Sequence, residues 1–219
     1  MLKKNLEEVL EVVNKGNSFG EKVTLVGATK FVPVEIMNEA ISLGLCDVAE
    51  NRAQEFKDKY PLVTKPINYH FIGSLQKNKV KYLIGKCFLI HSVDSLSLLD
   101  EISRQAVNKG VCQDVLLEVN LGVEEQKHGF SIEELNSALS YAKTLNGVKV
   151  KGLMAMLPES NDKTLLYDLS KNLRIVYDDF KDEYGFKYLS LGMSNDYEVA
   201  IKAGSNMIRV GSKIFGRRY

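Results

Sequence analysis

The chain has no CxxC pair, no GxGxxG loop and no basic arm, and each absence closes off a class of function. Its three cysteines, Cys46, Cys87 and Cys112, are odd in number and far apart. They cannot pair fully within one chain, so reduced, packed thiols with no metal or redox task are expected. Without GxGxxG after a strand, a dinucleotide site is disfavoured. The 29 lysines and arginines nearly balance 28 acids, the formal net charge is +1, and the two signs are mixed. With no basic stripe, nucleic acid is not an expected partner. No run approaches the ~18 apolar residues that span a bilayer. The opening MLKKNLEEVLEVVNK has acids where a signal peptide needs an apolar core. The expectation is a soluble, cytoplasmic protein with no membrane partner.

What is present is a large core and a repeating pattern. With 45% hydrophobic and 26% charged residues among 219, disorder is excluded. Leu2, Leu6, Val9, Leu10 and Val13 recur at helical spacing, so the chain opens with an amphipathic helix. After it, short apolar runs alternate with helical patterns. The runs are VTLVGAT, DVAEN, YHFIGS, CFLIHSV, VLLEVN, VKGLMAM, YLSLGM and MIRVG. Between them, Pro33 opens a helix that ends before Gly44, and Asp94-Ser95 is placed to cap one running towards Gly110. Ser131 and Glu134 have capping-box spacing, and Asn161 to Lys181 carries Leu165, Leu166, Leu169, Leu173 and Val176. Strands alternating with helices in this way predict a single (β/α)8 TIM barrel over residues 1–219, with an extra N-terminal helix. An open doubly wound sheet is the competing architecture.

In such barrels, chemistry gathers where the strands end. Here those ends supply Lys30, Glu50-Asn51, His70 to Ser74, His91 to Asp94, Asn120, Met154 to Met156, Met193-Ser194 and Arg209 to Ser212. The last two units, LSLGMSNDYEVAIKAG and MIRVGSKIFG, each run strand, glycine turn, helix start. Unpaired N–H groups at helix starts suit a phosphate, and Ser194 and Ser212 add hydroxyls while Gly192 and Gly211 allow close backbone approach. Lys30 ends the first strand. Burial there would favour a neutral amine, which can attack an aldehyde and form a Schiff base; a lysine reaching to solvent, or paired with Glu50, is the plainer alternative. A lysine with a phosphate turn fits two ligand classes, a sugar phosphate or pyridoxal 5'-phosphate.

The stretches LVGATKFVP, ENRAQEF, YHFIGSLQKNK, IHSVDS, VNLGVEEQKHGF, GLMAM and LSLGMSNDYEVAIKAGSNMIRVGSKIFGRR together resemble the YggS/PROSC family of pyridoxal phosphate homeostasis proteins. That family resembles the N-terminal barrel domain of alanine racemase without the second domain. The resemblance implies pyridoxal phosphate held as a reversible Schiff base on Lys30. It further implies a phosphate held by Ser194, Gly211 and Ser212, Arg209 beside the pyridine nitrogen, and Asn51 and Met154 lining the pocket. His70, Ser74 and Asn78 fall in a family signature without an assigned chemistry. The chain departs from the family where VAENRAQEF replaces the usual FGENYVQE, and at Tyr69 and His128.

Strong electron-sink chemistry wants a protonated pyridine nitrogen, and a guanidinium there disfavours it. Racemisation also needs a base on the opposite face, for which Tyr197 is a candidate that no motif places. The expectation is thus a non-catalytic, monomeric carrier in pyridoxal phosphate homeostasis, with pyridoxal-phosphate-dependent apoenzymes as recipients. A narrow racemase or lyase and a sugar-phosphate aldolase are the rivals.

Overall fold

The computed structural model describes residues 1–122 and 128–216. Residues 123–127, inside VNLGVEEQKHGF, and 217–219, which include Arg217, Arg218 and Tyr219, lie outside the described residues. The elements follow in the predicted alternation: α1 Leu2–Val13, β1 Thr24–Ala28, α2 Val34–Ser42, β2 Asp47–Glu50, α3 Ala53–Lys59, β3 Asn68–Phe71, β4 Leu89–Val93 and α4 Leu96–Asn108. Then come β5 Gln113–Glu118, α5 Ile132–Lys143, β6 Val148–Met154, α6 Lys163–Tyr184, β7 Tyr188–Ser190, α7 Tyr197–Ala203, β8 Met207–Val210 and α8 Ser212–Phe215.

The eight strands pair in parallel, in chain order, and β1 closes on β8 through Thr24–Met207 to Gly27–Val210. This is the expected TIM barrel; an open sheet is excluded by that closure. Successive side chains of a strand point to opposite faces. Val26, Ala49, Leu89, Leu116, Met154 and Met207 therefore meet inside the barrel, while a much larger cluster fills the space between strands and helices. α1 lays Leu6, Val9 and Val13 into that outer layer. Burying each such side chain is worth about 2 kcal/mol.

Local signals mostly hold. The Ser131–Glu134 capping box is complete at the start of α5. Three expectations need correction. Ser95 precedes α4, but its hydroxyl bonds Asp94 Oδ1 and not a helix N–H. The unit after β3 is a 3-10 turn, Lys77–Tyr82, in place of a full helix. Of the cysteines expected to be packed, Cys46 and Cys112 are exposed, because both sit in turns outside the sheet; Cys87 is buried and donates to Leu89 O.

Gly152 lies where β6 meets β7. Its φ is +147°, and a Cβ there would sit 1.8 Å from the carbonyl oxygen of Tyr188. Gly85 also has positive φ (+77°) but open space around it.

The turn after β1 carries Lys30 and is gripped from α3. Thr29 donates its N–H to Ala49 O (2.8 Å) and its hydroxyl to Glu50 Oε1 (2.7 Å). Lys59 Nζ donates to Thr29 O (2.9 Å), Glu50 Oε1 (2.9 Å) and Glu55 Oε2 (3.2 Å). Phe31 N–H donates to Glu55 Oε2 (3.0 Å), and Arg52 lies over the Phe31 ring. Phe31 has φ +62°, the one non-glycine positive φ among the described residues. Such a conformation costs about 1–2 kcal/mol and persists only where the surroundings hold it. Glu50 is fully buried, with Tyr69 Oη also on Oε1 and no hydrogen-bond partner for Oε2 among the described residues. Burial raises its carboxyl pKa, and Lys59 opposes that rise.

Gly152→Ala is expected to cost more than about 3 kcal/mol in urea unfolding, against about 1 kcal/mol for Gly85→Ala, where only the backbone angle is strained. Lys59→Met leaves Glu50 without its cation, so its folded pKa climbs further above the unfolded value. A raised carboxyl contributes stability below the unfolded pKa and loses it as pH rises through the folded one. Lys59→Met should therefore be about 3 kcal/mol less stable than wild type at pH 8, with the deficit shrinking towards pH 5.

Candidate functional site

Closure of β1 on β8 brings the first strand end beside the last two. A cavity of about 1090 Å³ opens at the C-terminal ends of the strands. Lys30, Asn51, Ser194, Arg209, Gly211 and Ser212 line it together. Its apolar walls include Ile72, Met156, Leu157 and Met193. Met154 does not line it: this side chain packs in the inner layer with Met207 and Leu116, and Met156, two residues on, faces the cavity instead. GLMAM offers both methionines at the same spacing, so the sequence alone does not separate them.

The turn after β7 and the start of α8 form one unit. Ser194 Oγ accepts the N–H of Gly211 at 3.1 Å and that of Lys213 at 3.4 Å. Asp196 Oδ1 accepts the Met193 N–H, which folds the turn back on itself before α7. Gly211 sits against β1, where an added Cβ would meet Ala28 O at 3.2 Å and Ala28 Cβ at 3.3 Å. The result is backbone N–H groups, hydroxyls and the first turn of a helix on one side of the cavity, a setting that suits an anion.

Arg209 projects from β8 into the barrel and is 4% exposed. Nη1 donates to Ser190 O (2.8 Å) and Ser190 Oγ (2.7 Å), and Nη2 to Ala155 O (2.9 Å). Burial lowers its pKa to about 10, against the pull of Glu118 and Asp196. It is a cation at neutral pH. Glu118, at the end of β5, is itself buried, and burial, with Asp94 next, raises its carboxyl. Asn51 lines the cavity, and its Oδ1 is buried with no hydrogen-bond partner among the described residues, an unsatisfied acceptor at the cavity's edge.

Other expected groups lie elsewhere. Tyr197 is 4% exposed in the outer core, does not line the cavity, and has its phenol pKa raised by burial. Glu50, considered as a partner for Lys30, faces away from the barrel interior with Lys59. His70 lies inside the barrel, bonded to Asp47 and His91. Lys59 and Ser190 carry no sequence signal of their own, and His91 is marked only by its place at a strand end. The described residues contain no group of three or more His, Cys, Asp or Glu placed to hold a metal, and no helix long and apolar enough to cross a membrane.

The donor set suits a small ligand with an anionic tail, a carbonyl within reach of an amine, and a group facing a buried cation. The profile described as "Alanine racemase, N-terminal domain" matches residues 26–218. The pyridoxal phosphate homeostasis protein of Aquifex aeolicus is 41% identical, covering 99% of this chain and 96% of that protein. That of Escherichia coli K12 is 31% identical over 90% and 87%. Among solved structures, PipY of Synechococcus elongatus with PLP bound superposes with a TM-score of 0.88 at 26% identity, covering 99% of this chain and all of that one. Alanine racemase of Clostridium difficile, at 18% identity and TM-score 0.78, shares the barrel fold; this chain spans 57% of its length. A matching profile over most of the barrel and a 41% relative along nearly the full length place the chain in the pyridoxal phosphate homeostasis protein family.

Proposed function

We propose that this chain binds pyridoxal 5'-phosphate and serves its homeostasis as a carrier, without turning over a substrate. The reading is carried by one observation: a lysine, an anion-type turn and a buried guanidinium open onto the same cavity. The names of the relatives and the PLP-bound PipY structure support it.

The residues fit the group. Ser194, Gly211 and Ser212 would hold its phosphate at the start of α8. The orphaned Asn51 Oδ1 would accept a hydrogen bond from a ring hydroxyl. Arg209 would face the ring nitrogen. When bound, the cofactor supplies an aldehyde that an amine can capture as a reversible Schiff base. Lys30 is the amine assigned to that capture, and α3 holds the backbone on both sides of it.

The chain's own groups also argue for holding over turnover. Arg209 is a donor-only cation at neutral pH, so a proton on the facing nitrogen would put two positive charges together. The tyrosine considered as a base, Tyr197, is packed in the outer core. The recipients are proposed to be apoenzymes that use the same cofactor. The chain is proposed to work as a cytoplasmic monomer.

Mixing the purified protein with pyridoxal phosphate is expected to give a visible band that borohydride abolishes, with the added mass on Lys30. Lys30→Ala should lose the adduct and keep the far-UV spectrum. Ser194→Ala should weaken binding about tenfold, the worth of one charge-assisted hydrogen bond. Incubation with amino acids in heavy water should give no α-deuteration above background; rapid deuteration would establish a racemase or lyase instead. A colourless protein that cannot be reconstituted would overturn the reading.

A further inference from the structure

Five buried or nearly buried polar side chains form a line through the barrel interior, and the cavity accounts for only the last of them. Asp47 opens β2, and its Oδ1 is 3.0 Å from His70 Nε2 on β3. His70 Nδ1 is 2.9 Å from His91 Nε2 on β4. His91 Nδ1 is 3.0 Å from the hydroxyl of Ser190, the last residue of β7. That hydroxyl is 2.7 Å from Arg209 Nη1 on β8. His70, His91 and Ser190 have no exposed surface, and the Asp47 side chain is 13% exposed at the far end. The line climbs from the start of one strand to the cation under the cavity.

Its two ends fix its direction. A guanidinium can only donate, and an ionised carboxylate can only accept. Asp47 must therefore receive the Nε2–H of His70. A neutral His70 then has a bare Nδ1, which must accept the Nε2–H of His91. A neutral His91 has a bare Nδ1 in turn, which accepts the Ser190 O–H. The Ser190 oxygen accepts from Arg209. Every donor points towards Asp47, no bond is left without a proton, and both rings carry theirs on Nε2.

A second proton on His70 would set its Nδ1–H against the Nε2–H of His91, and one on His91 would set its Nδ1–H against the Ser190 O–H; either breaks the line as drawn. Burial disfavours that proton on both rings; His70 and Arg209 further disfavour it on His91, and Asp47 opposes on His70. The surrounding groups agree. Asn68 donates to Asp47 Oδ1 at 2.9 Å, Tyr188 lies near that carboxylate, and Glu118 and Asp196 act on Arg209 at the other end. The edge of His70 meets the Phe88 ring at 5.1 Å, which offers no competing acceptor.

We propose that Asp47, His70, His91 and Ser190 are positioning residues for Arg209, forming a one-way hydrogen-bonded wire that fixes its guanidinium beneath the cavity and links it to a distant carboxylate. The proposal rests on the cofactor reading above for what Arg209 faces, and on the hydrogen-bond geometry alone for the wire. The logic is separation. A carboxylate touching the ring nitrogen would draw a proton onto it, whereas Asp47 balances charge from the far side of the barrel and leaves Arg209 as the group in contact. Neutral rings between them pass on orientation and polarisation without adding charge.

The test begins with the protein alone. Nitrogen-15 NMR of the imidazoles at pH 7 is expected to show both buried rings neutral, each protonated on Nε2 with a bare Nδ1. A ring protonated on Nδ1, or on both nitrogens, overturns the wire. Asp47→Leu is of similar size and has no acceptor, so a population of Nδ1–H tautomer should appear on His70; an unchanged spectrum overturns the assigned direction. The second arm adds pyridoxal phosphate. Although Asp47 touches neither Arg209 nor the cavity, Asp47→Leu should weaken binding about threefold or more and move the pH profile of the visible band. Ser190→Ala, which removes the last acceptor, should do the same while the His70 tautomer stays fixed by Asp47. Binding and spectra equal to wild type in both variants overturn the positioning role. A wild-type chain that takes up no pyridoxal phosphate overturns the functional reading instead, and the tautomers still decide the wire.

Discussion

The parallel pairing of β1 with β8 is the contact on which this molecule depends. It joins residues near position 25 to residues near position 208 and turns a ribbon of alternating strands and helices into a closed wall. Closure removes the sheet edges. It also brings Lys30 into one space with Ser194, Arg209 and Gly211, which are remote from it in the chain. The apolar outer layer supplies the free energy, and the strand ends carry the chemistry at little cost to it.

A closed barrel has little room for charge, and the polar groups inside it are handled in two ways. On the outer face of β2, Glu50 is neutralised by Lys59 and the pair is used to hold the turn that carries Lys30. On the inner face, Asp47 and Arg209 lie apart, with two neutral rings and a hydroxyl between them. Alternation along β2 thus sends its two acids to opposite sides of the wall, and each supports a different part of the same site.

Much of this was legible in the sequence, for identifiable reasons. Each of the eight apolar runs became a strand because β-branched and apolar residues recur there between helical patterns, one of them opened by the Ser131–Glu134 box. Lys30, Asn51, Ser194, Arg209, Gly211 and Ser212 share a cavity because they lie at or just beyond the C-terminal ends of strands, a place that topology alone assigns. Met154 was not separable from Met156, since the two share one spacing and only depth along the barrel tells them apart: Met154 ends β6 in the inner layer, and Met156 lies beyond the strand at the opening. The helix expected after β3 is a 3-10 turn, in a stretch with lysine at alternate positions from Lys77 to Lys81. Nothing in the order of residues announces Asp47, His70, His91 and Ser190 as a set. They meet only across four strands, and pattern arguments within one segment cannot register such a meeting.

The grip of α3 on the lysine turn makes the rim of the cavity uneven. On that side, the backbone of Thr29 and Phe31 is hydrogen-bonded to charged side chains of a helix, with a strained residue held in place. Across the opening, residues 155–162 contribute Met156, Leu157 and Ser160 without any regular element behind them. The two walls of the opening therefore differ in kind: one is fixed by hydrogen bonds to charged side chains of α3, and the other is built from loop residues and methionine side chains.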